Sequence, residues 1–444
     1  MPILTKDECN ALLKKVLSYS KADECEVNLT GSDSDNIRYA RNAVSTSGSI
    51  SQTSLVVSSS FGKKSGVATI NEYDDVSLEK VVRRAEELAR LAPENPEYVP
   101  FLGPQTYLES KTFLETTAKT TPGVRADLVG KSLEIAKGRK TIAAGFLESV
   151  TGFASMMNSK GLFAYSTSTN VNFSVTARTQ DEKGSGYATR GYNDIRNLDT
   201  AKATQIAADK ALRSATAKAI EPGKYTVILE PTAAAVLLEN IFFGLDARQA
   251  DEGRSFLSKP GGKTKLGEKL VDQRVTIYSD PQNAELPTSP WNADGRPQEK
   301  VTWIEKGVVK NLTYSRYWAE KSGVKAVPAP DGVIMEGGTK SLEELIKGTK
   351  KGILVTRLWY IRPVDPQTLL LTGLTRDGTF YIENGEIKFP IKNFRFNESP
   401  VIMLNNLEEL GKPERTVSVE SNANYLIPPM KIRDFTFSSL SDAV

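Results

Sequence analysis

One succession of hydrophobic periods occurs twice in this chain, and that repetition limits its fold more than any single motif. Residues 5–18 set Cys9, Leu12, Leu13, Val16 and Leu17 at helical spacing, so one face is apolar. Cys25, Val27 and Leu29 then alternate as a strand does, and strand-like segments follow at 37–45 and 51–60. The turn Gly62–Gly66 leads into 67–70, and an amphipathic helix over 77–92 (Leu78, Val81, Val82, Ala85, Leu88, Ala89) stops at Pro93. The order then returns as a helix at 123–137, strands through 141–180 and a helix over 199–218. Ser65-Gly66-Val67-Ala68-Thr69 in the first copy is echoed by Ser185-Gly186-Tyr187-Ala188-Thr189 in the second, each ahead of a helix. The matched order around so short an echo points to a degenerate duplication.

Between the copies stand Pro93, Pro96, Pro100, Pro104 and Pro122 with little periodicity, which predicts an extended linker or crossover. After Pro222 comes a short strand at 225–229. A strongly apolar helix over 232–246 follows, carrying Ala233, Val236, Leu237, Ile241, Phe242 and Leu245. Beyond residue 270 the sequence is β-rich. Residues 303–308 read as a hairpin, and so do 379–391, where Asn384-Gly385 suits a tight turn with positive φ. The expectation is an α+β protein in four parts: an N-terminal α+β module (1–93), a Pro-rich crossover (94–121), a second α+β module (122–220) and a large, mostly antiparallel β-rich domain (221–444), barrel-like or sandwiched.

The chemistry is bounded by what is missing: among 444 residues there is no histidine. Histidine-activated serine or cysteine nucleophiles are therefore excluded, as is any zinc site built on imidazole. A net charge of +3 with no basic run is not the footprint of a nucleic-acid binder. Nor does any apolar stretch reach membrane-spanning length, and the start of the chain lacks a signal-peptide core. The two cysteines, Cys9 and Cys25, read as core thiols, and the chain as cytoplasmic.

Other motifs are weak. Ser77-x-x-Lys80 and Ser322-x-x-Lys325 lack companion motifs, and Gly184-Ser185-Gly186 lacks a Walker lysine and reads as a β-turn. Asp33 and Asp35 lack the remaining ligands of a calcium loop and read as a solvated turn. On the 232–246 helix, Glu239 and Asp246 are expected on one face about 10 Å apart, too far to share one ion comfortably.

Two stretches carry a family resemblance. Ile382-Glu383-Asn384-Gly385-Glu386-Ile387-Lys388-Phe389-Pro390 resembles the C-terminal hairpin IENGEI-x-[YF]-P of the TldD/PmbA family, whose PmbA branch is also called TldE. Leu237-Leu238 and Gly244-Leu245-Asp246 lie where the TldD branch carries its helix motif. The resemblance extends over nearly the whole chain. It implies a protein related to zinc peptidases, in which TldD-type members bind metal through His-Glu-x-x-x-His and PmbA-type members lack those residues and pair with a TldD-type subunit. Here the corresponding helix carries Glu239, Asn240, Phe243 and Asp246, so no catalytic or metal residue transfers. The resemblance thus implies a non-catalytic subunit that binds no cofactor of its own. It would pair with a zinc-bearing TldD-like subunit, as a homodimer, or both, and act on unfolded or extended peptides. Arg357, Trp359, Tyr360, Arg376 and Asp377, where aromatic and charged groups are dense, are the candidate peptide contacts, with buried core and a hairpin turn as the structural alternatives. Two other functions stay open: a divergent metallopeptidase using carboxylates or a homodimer-interface site, and a homodimeric peptide-binding scaffold. The label "modulator of DNA gyrase" also attaches to this family, but neither charge nor motif here suggests contact with DNA.

Overall fold

The computed structural model describes residues 3–441. Its N-terminal half is built on a single antiparallel six-stranded sheet. The first copy supplies α1 (Lys6–Ser18), β1 (Glu24–Ala40), β2 (Ala43–Phe61), β3 (Lys64–Ile70) and α2 (Asp75–Leu91). The second supplies α3 (Pro122–Gly138), β4 (Ile142–Asn158), β5 (Phe163–Arg178), β6 (Ser185–Tyr192) and α4 (Thr200–Ser214). The strand order β3-β2-β1-β4-β5-β6 reads outward from the β1–β4 seam in the same way on both sides, as a duplication requires. Thr5 and Glu8 close a capping box at the start of α1, and Thr121 with Pro122 begins α3.

All four helices lie on one face. Cys25, Val27 and Leu29 of β1 pack beneath α1 and α2, while Leu147 of β4 and Val171, Phe173 and Val175 of β5 pack beneath α3 and α4. Strand pairing sets Val27 opposite Met157 and Ile37 opposite Leu147, so these residues share the helix-covered face. The echoed glycines explain the echo. A Cβ on Gly66 would lie 2.2 Å from the Ala89 backbone nitrogen and 2.4 Å from the Ala85 carbonyl oxygen. One on Gly186 would lie 2.1 Å from the Ala207 carbonyl oxygen and 2.7 Å from the Ala211 nitrogen. In each copy a glycine of the third strand lets the following helix approach until backbones nearly touch.

Two local expectations change. Strand β1 runs unbroken to Ala40, and the predicted strand 37–45 contains the hairpin turn Arg41-Asn42, with both residues at positive φ (50° and 59°). Asp33 and Asp35 sit inside that strand rather than in a turn, because Ser51 and Ser49 of β2 donate to their carboxylates across the pair and Arg125 lies 3.1 Å from Asp35. Cys9 and Cys25 are free, buried thiols, and burial pushes that of Cys9 up to about 11.

The C-terminal half contains a closed five-stranded barrel of β7 (Gly223–Leu229), β8 (Lys351–Asp365), β9 (Leu370–Glu383), β11 (Phe394–Glu398) and β12 (Met430–Leu440). Closure comes from β8, which pairs in parallel with β7 and antiparallel with β9. Strand β10 (Glu386–Pro390) returns along β9 through Asn384 (φ 51°) and Gly385 (φ 78°), the turn the sequence predicts. A second, smaller sheet holds Val301–Glu305 with Val308–Val309, the other predicted hairpin, and ends in Asn424–Ile427 beside Glu414–Val417. Helix α5 (Pro231–Phe243) lies between barrel and sheet and is buried nearly all round, as its unbroken apolar composition demands. Phe394, Phe396, Phe435 and Phe437 of the barrel join Ile277, Trp303 and Ile427 of the sheet in one core with it. Among the described residues no helix is long and apolar enough to cross a membrane.

Gly66→Ala and Gly186→Ala should each lower stability in urea unfolding by about 1–3 kcal/mol. Gly130→Ala on α3, where an added Cβ meets nothing within 4 Å, should raise it by about 0.5–1 kcal/mol.

Candidate functional site

Helix α5 carries the residues the resemblance singles out. Glu239 is only 3% exposed, near the middle of an apolar helix. Its carboxylate is held inside the fold: Ser418 Oγ donates to Oε2 at 2.7 Å and the Tyr425 hydroxyl donates to Oε1 at 3.2 Å. Burial first, and the neighbouring Glu239 carboxylate second, push the Tyr425 hydroxyl far above the usual tyrosine range. Asn240 turns back along the helix and donates to the Val236 carbonyl at 2.9 Å, while Phe243 is 69% exposed. The helix ends at Phe243, not at 246. Gly244 follows, where a Cβ would strike the Phe256 ring at 2.5 Å. Asp246 therefore caps a separate short helix, Ala247–Asp251, by accepting from the Gln249 backbone at 2.7 Å. The expected shared face of Glu239 and Asp246 does not exist. Among the described residues no three Asp, Glu or Cys side chains converge as a metal-binding group. With Glu239 committed to two hydroxyls and Asp246 to a helix cap, the side chains of this helix do not fit a zinc ion.

The candidate peptide contacts lie elsewhere, on barrel strands β8 and β9. Arg357 and Asp377 form a 2.8 Å ion pair, Ser185 of β6 donates to the other Asp377 oxygen at 2.6 Å, and Arg357 stacks 4.2 Å from the Tyr187 ring. This cluster pins the barrel to the N-terminal sheet. Arg376 stacks on Trp359 at 4.3 Å. Tyr360 is half exposed, in the left-handed region (φ 55°), with Arg362 over its ring at 4.2 Å. Residues 375–378 are strand, not a hairpin turn; breaks in the β8–β9 register re-aim these side chains.

A more enclosed space opens on the face of the N-terminal sheet away from its helices. There a cleft of about 490 Å³ lies between β4–β5, the strap around Thr112 and the 414–427 hairpin. Ser32, Ser166, Ser168 and Asn170 line one wall, Arg415 and Asn424 the other. The strap is tied down where Thr112 Oγ1 donates to the Thr167 carbonyl at 2.6 Å and Ser110 Oγ donates to the Thr288 carbonyl at 2.7 Å. Period-two alternation makes the 414–418 segment two-faced. Thr416 meets Thr232 and Ser418 meets Glu239 on the side of α5, while Val417 presses toward Gly191 and Arg415 reaches Asn193 on the side of the sheet. The cleft thus lies one strand's thickness from the motif helix. None of Arg415, Asn170, Asn172 and Asn424 stands out in sequence, because the polar partners of Arg415 are set by a fold that joins positions 222 apart.

Comparison with known proteins bears on this arrangement. A family model described as the PmbA/TldA metallopeptidase C-terminal domain matches residues 222–439, and one for the central domain matches 125–217. The chain belongs to the PmbA/TldD family. The family is metallopeptidase-like. The chain is 23% identical over 384 residues to metalloprotease PmbA of Escherichia coli O157:H7, covering 83% of each protein. Against a metalloprotease of Methanothermobacter thermautotrophicus it is 23% identical over 299 residues, 62% of this chain, and spans only 63% of that protein. TldE from Thermococcus kodakarensis has the same fold, with a TM-score of 0.86 at 20% identity over 97% of this chain and 99% of that one.

Glu239→Ala should leave Ser418 Oγ and the Tyr425 hydroxyl without an acceptor in the core, costing about 1–3 kcal/mol for each in urea unfolding. Phe243→Ala on the same helix should stay within about 0.5 kcal/mol of the parent.

Proposed function

We propose that this chain is a PmbA/TldE-type subunit that binds no catalytic zinc and completes a peptide-processing assembly with a zinc-bearing, TldD-type partner. The observation that carries the proposal is the state of Glu239. The one carboxylate in the middle of the motif helix is spent on Ser418 and Tyr425, in a chain with no histidine to stand beside it. A hydrolytic zinc needs nitrogen, sulfur or carboxylate ligands converging on an open position, and the single carboxylate of α5 is turned to two hydroxyls instead. The contribution of the chain would be to shape a chamber and hold an extended polypeptide, a task suited to long strands and a polar, hydroxyl-lined cleft.

Casein incubated with this chain plus its TldD-type partner should be degraded, and chelators should stop the reaction. Casein with this chain alone should remain intact, and metal analysis of the purified chain should find no stoichiometric zinc. Chelator-sensitive cleavage by the pure chain would overturn the proposal.

A further inference from the structure

Seven buried side-chain polar atoms among the described residues have no hydrogen-bond partner, and three of them belong to residues that line the cleft: Arg415 Nε and the amide oxygens of Asn170 and Asn424. Buried polar groups are satisfied nearly everywhere in folded proteins, so such a concentration is completed by ordered water or by a ligand that displaces it. A Cβ on Gly191 would lie 2.4 Å from Asn424 Oδ1, 2.5 Å from Val417 Cγ2 and 2.7 Å from Asn172 Oδ1, so Asn424 and Asn172 crowd the same glycine beside the Val417 methyl. Asn170 sits two residues along β5 from Asn172 and hence on the same face of the sheet.

Arg415 supplies the opposite chemistry. Its Nη1 donates to Asn193 Oδ1 and to the Glu285 carbonyl, both at 2.8 Å, and no carboxylate among the described residues pairs with it. Burial pulls its guanidinium down to about 10, the sign of a cation held without a counter-charge. Among the described residues it is the only Lys or Arg lining the cleft, and Asp331 lines the same space. A single fixed cation, with an acid lining the same space, balances at most one negative charge and disfavours a dianionic phosphate.

We infer that this cleft anchors a carboxylate of an extended peptide on Arg415, while the amide oxygens of Asn170 and Asn424 accept N–H groups from the peptide. The inference deepens the proposed function, since it rests on the chain holding extended peptides, and it names the end chemistry they must present. A chain-terminal carboxylate and an acidic side chain share that chemistry.

The test uses the full-length chain without any partner, with fluorescence anisotropy of three labelled peptides. The first is an uncharged six-residue peptide with a free C-terminal carboxylate, the second its C-terminal amide, and the third the amide with one internal glutamate. At least one carboxylate-bearing peptide should bind about tenfold or more tightly than the plain amide, as a charged hydrogen bond in a partly buried site implies. Whichever acid binds identifies the source. Arg415→Gln should erase the difference, Arg415→Lys should keep part of it, and Asn170→Asp should weaken the acid peptide by like charge. Equal binding of acid and amide, no binding of any peptide, or undiminished preference in a folded R415Q protein would each overturn the inference. If R415Q fails to fold, the acid–amide comparison on the parent chain decides alone. Casein degradation by the two-subunit mixture reports separately: if it proceeds while the carboxylate preference is absent, the inference falls and the proposed function stands.

Discussion

The C-terminal half depends on burying a charged residue in the middle of an apolar helix. Helix α5 is enclosed by the barrel on one side and the small sheet on the other, so Glu239 cannot reach water. An unpartnered carboxylate there would cost several kcal/mol. Two hydroxyls answer it, and both come from the 414–427 region, so satisfying one oxygen pair fixes where that hairpin lies against the helix. Because side chains alternate across a strand, the same placement decides what faces the other way. Arg415 and Val417 are thereby presented to the N-terminal sheet. The cleft is a consequence of how the motif helix is satisfied.

The N-terminal half is the counter-surface to the C-terminal half. Its helices crowd one face, brought into near backbone contact by Gly66 in one copy and Gly186 in the other. The opposite face is left rich in serine, threonine and asparagine, and the C-terminal half closes over it. The Asp377–Arg357 pair, tied to Ser185 and stacked on Tyr187, fastens the barrel to β6 at a second point. Duplication thus gives a symmetric platform whose two halves have different surroundings: the β6 flank packs against the barrel and the 414–417 strand of the C-terminal half.

How much of this was legible in sequence depends on the range of the physics. The Asn384-Gly385 hairpin was readable because a two-residue turn with positive φ is a local demand. The helices under the sheet were readable because their apolar spacing records one buried face. Errors arose where a local pattern competed with a contact. Arg41-Asn42 turns the chain inside a stretch that reads as strand, and α5 ends early at Phe243, capped by Gly244, where the Phe256 ring leaves no room for a side chain. Asp33 and Asp35 look like turn residues until Ser51 and Ser49 pair with them across the ribbon.

The sequence by itself determined the class of elements, their repeated order and the absence of imidazole chemistry, since each follows from composition and short-range spacing, and its resemblance to known motifs pointed to the family. Only the tertiary structure decided that Glu239 is a clamp rather than a ligand and that barrel closure runs through β8. It alone set Arg415 beside Asn193, 222 positions away, with no carboxylate among the described residues in an ion pair with it. Those facts depend on which buried charges find partners, and partners far apart in the chain leave no periodic trace in it.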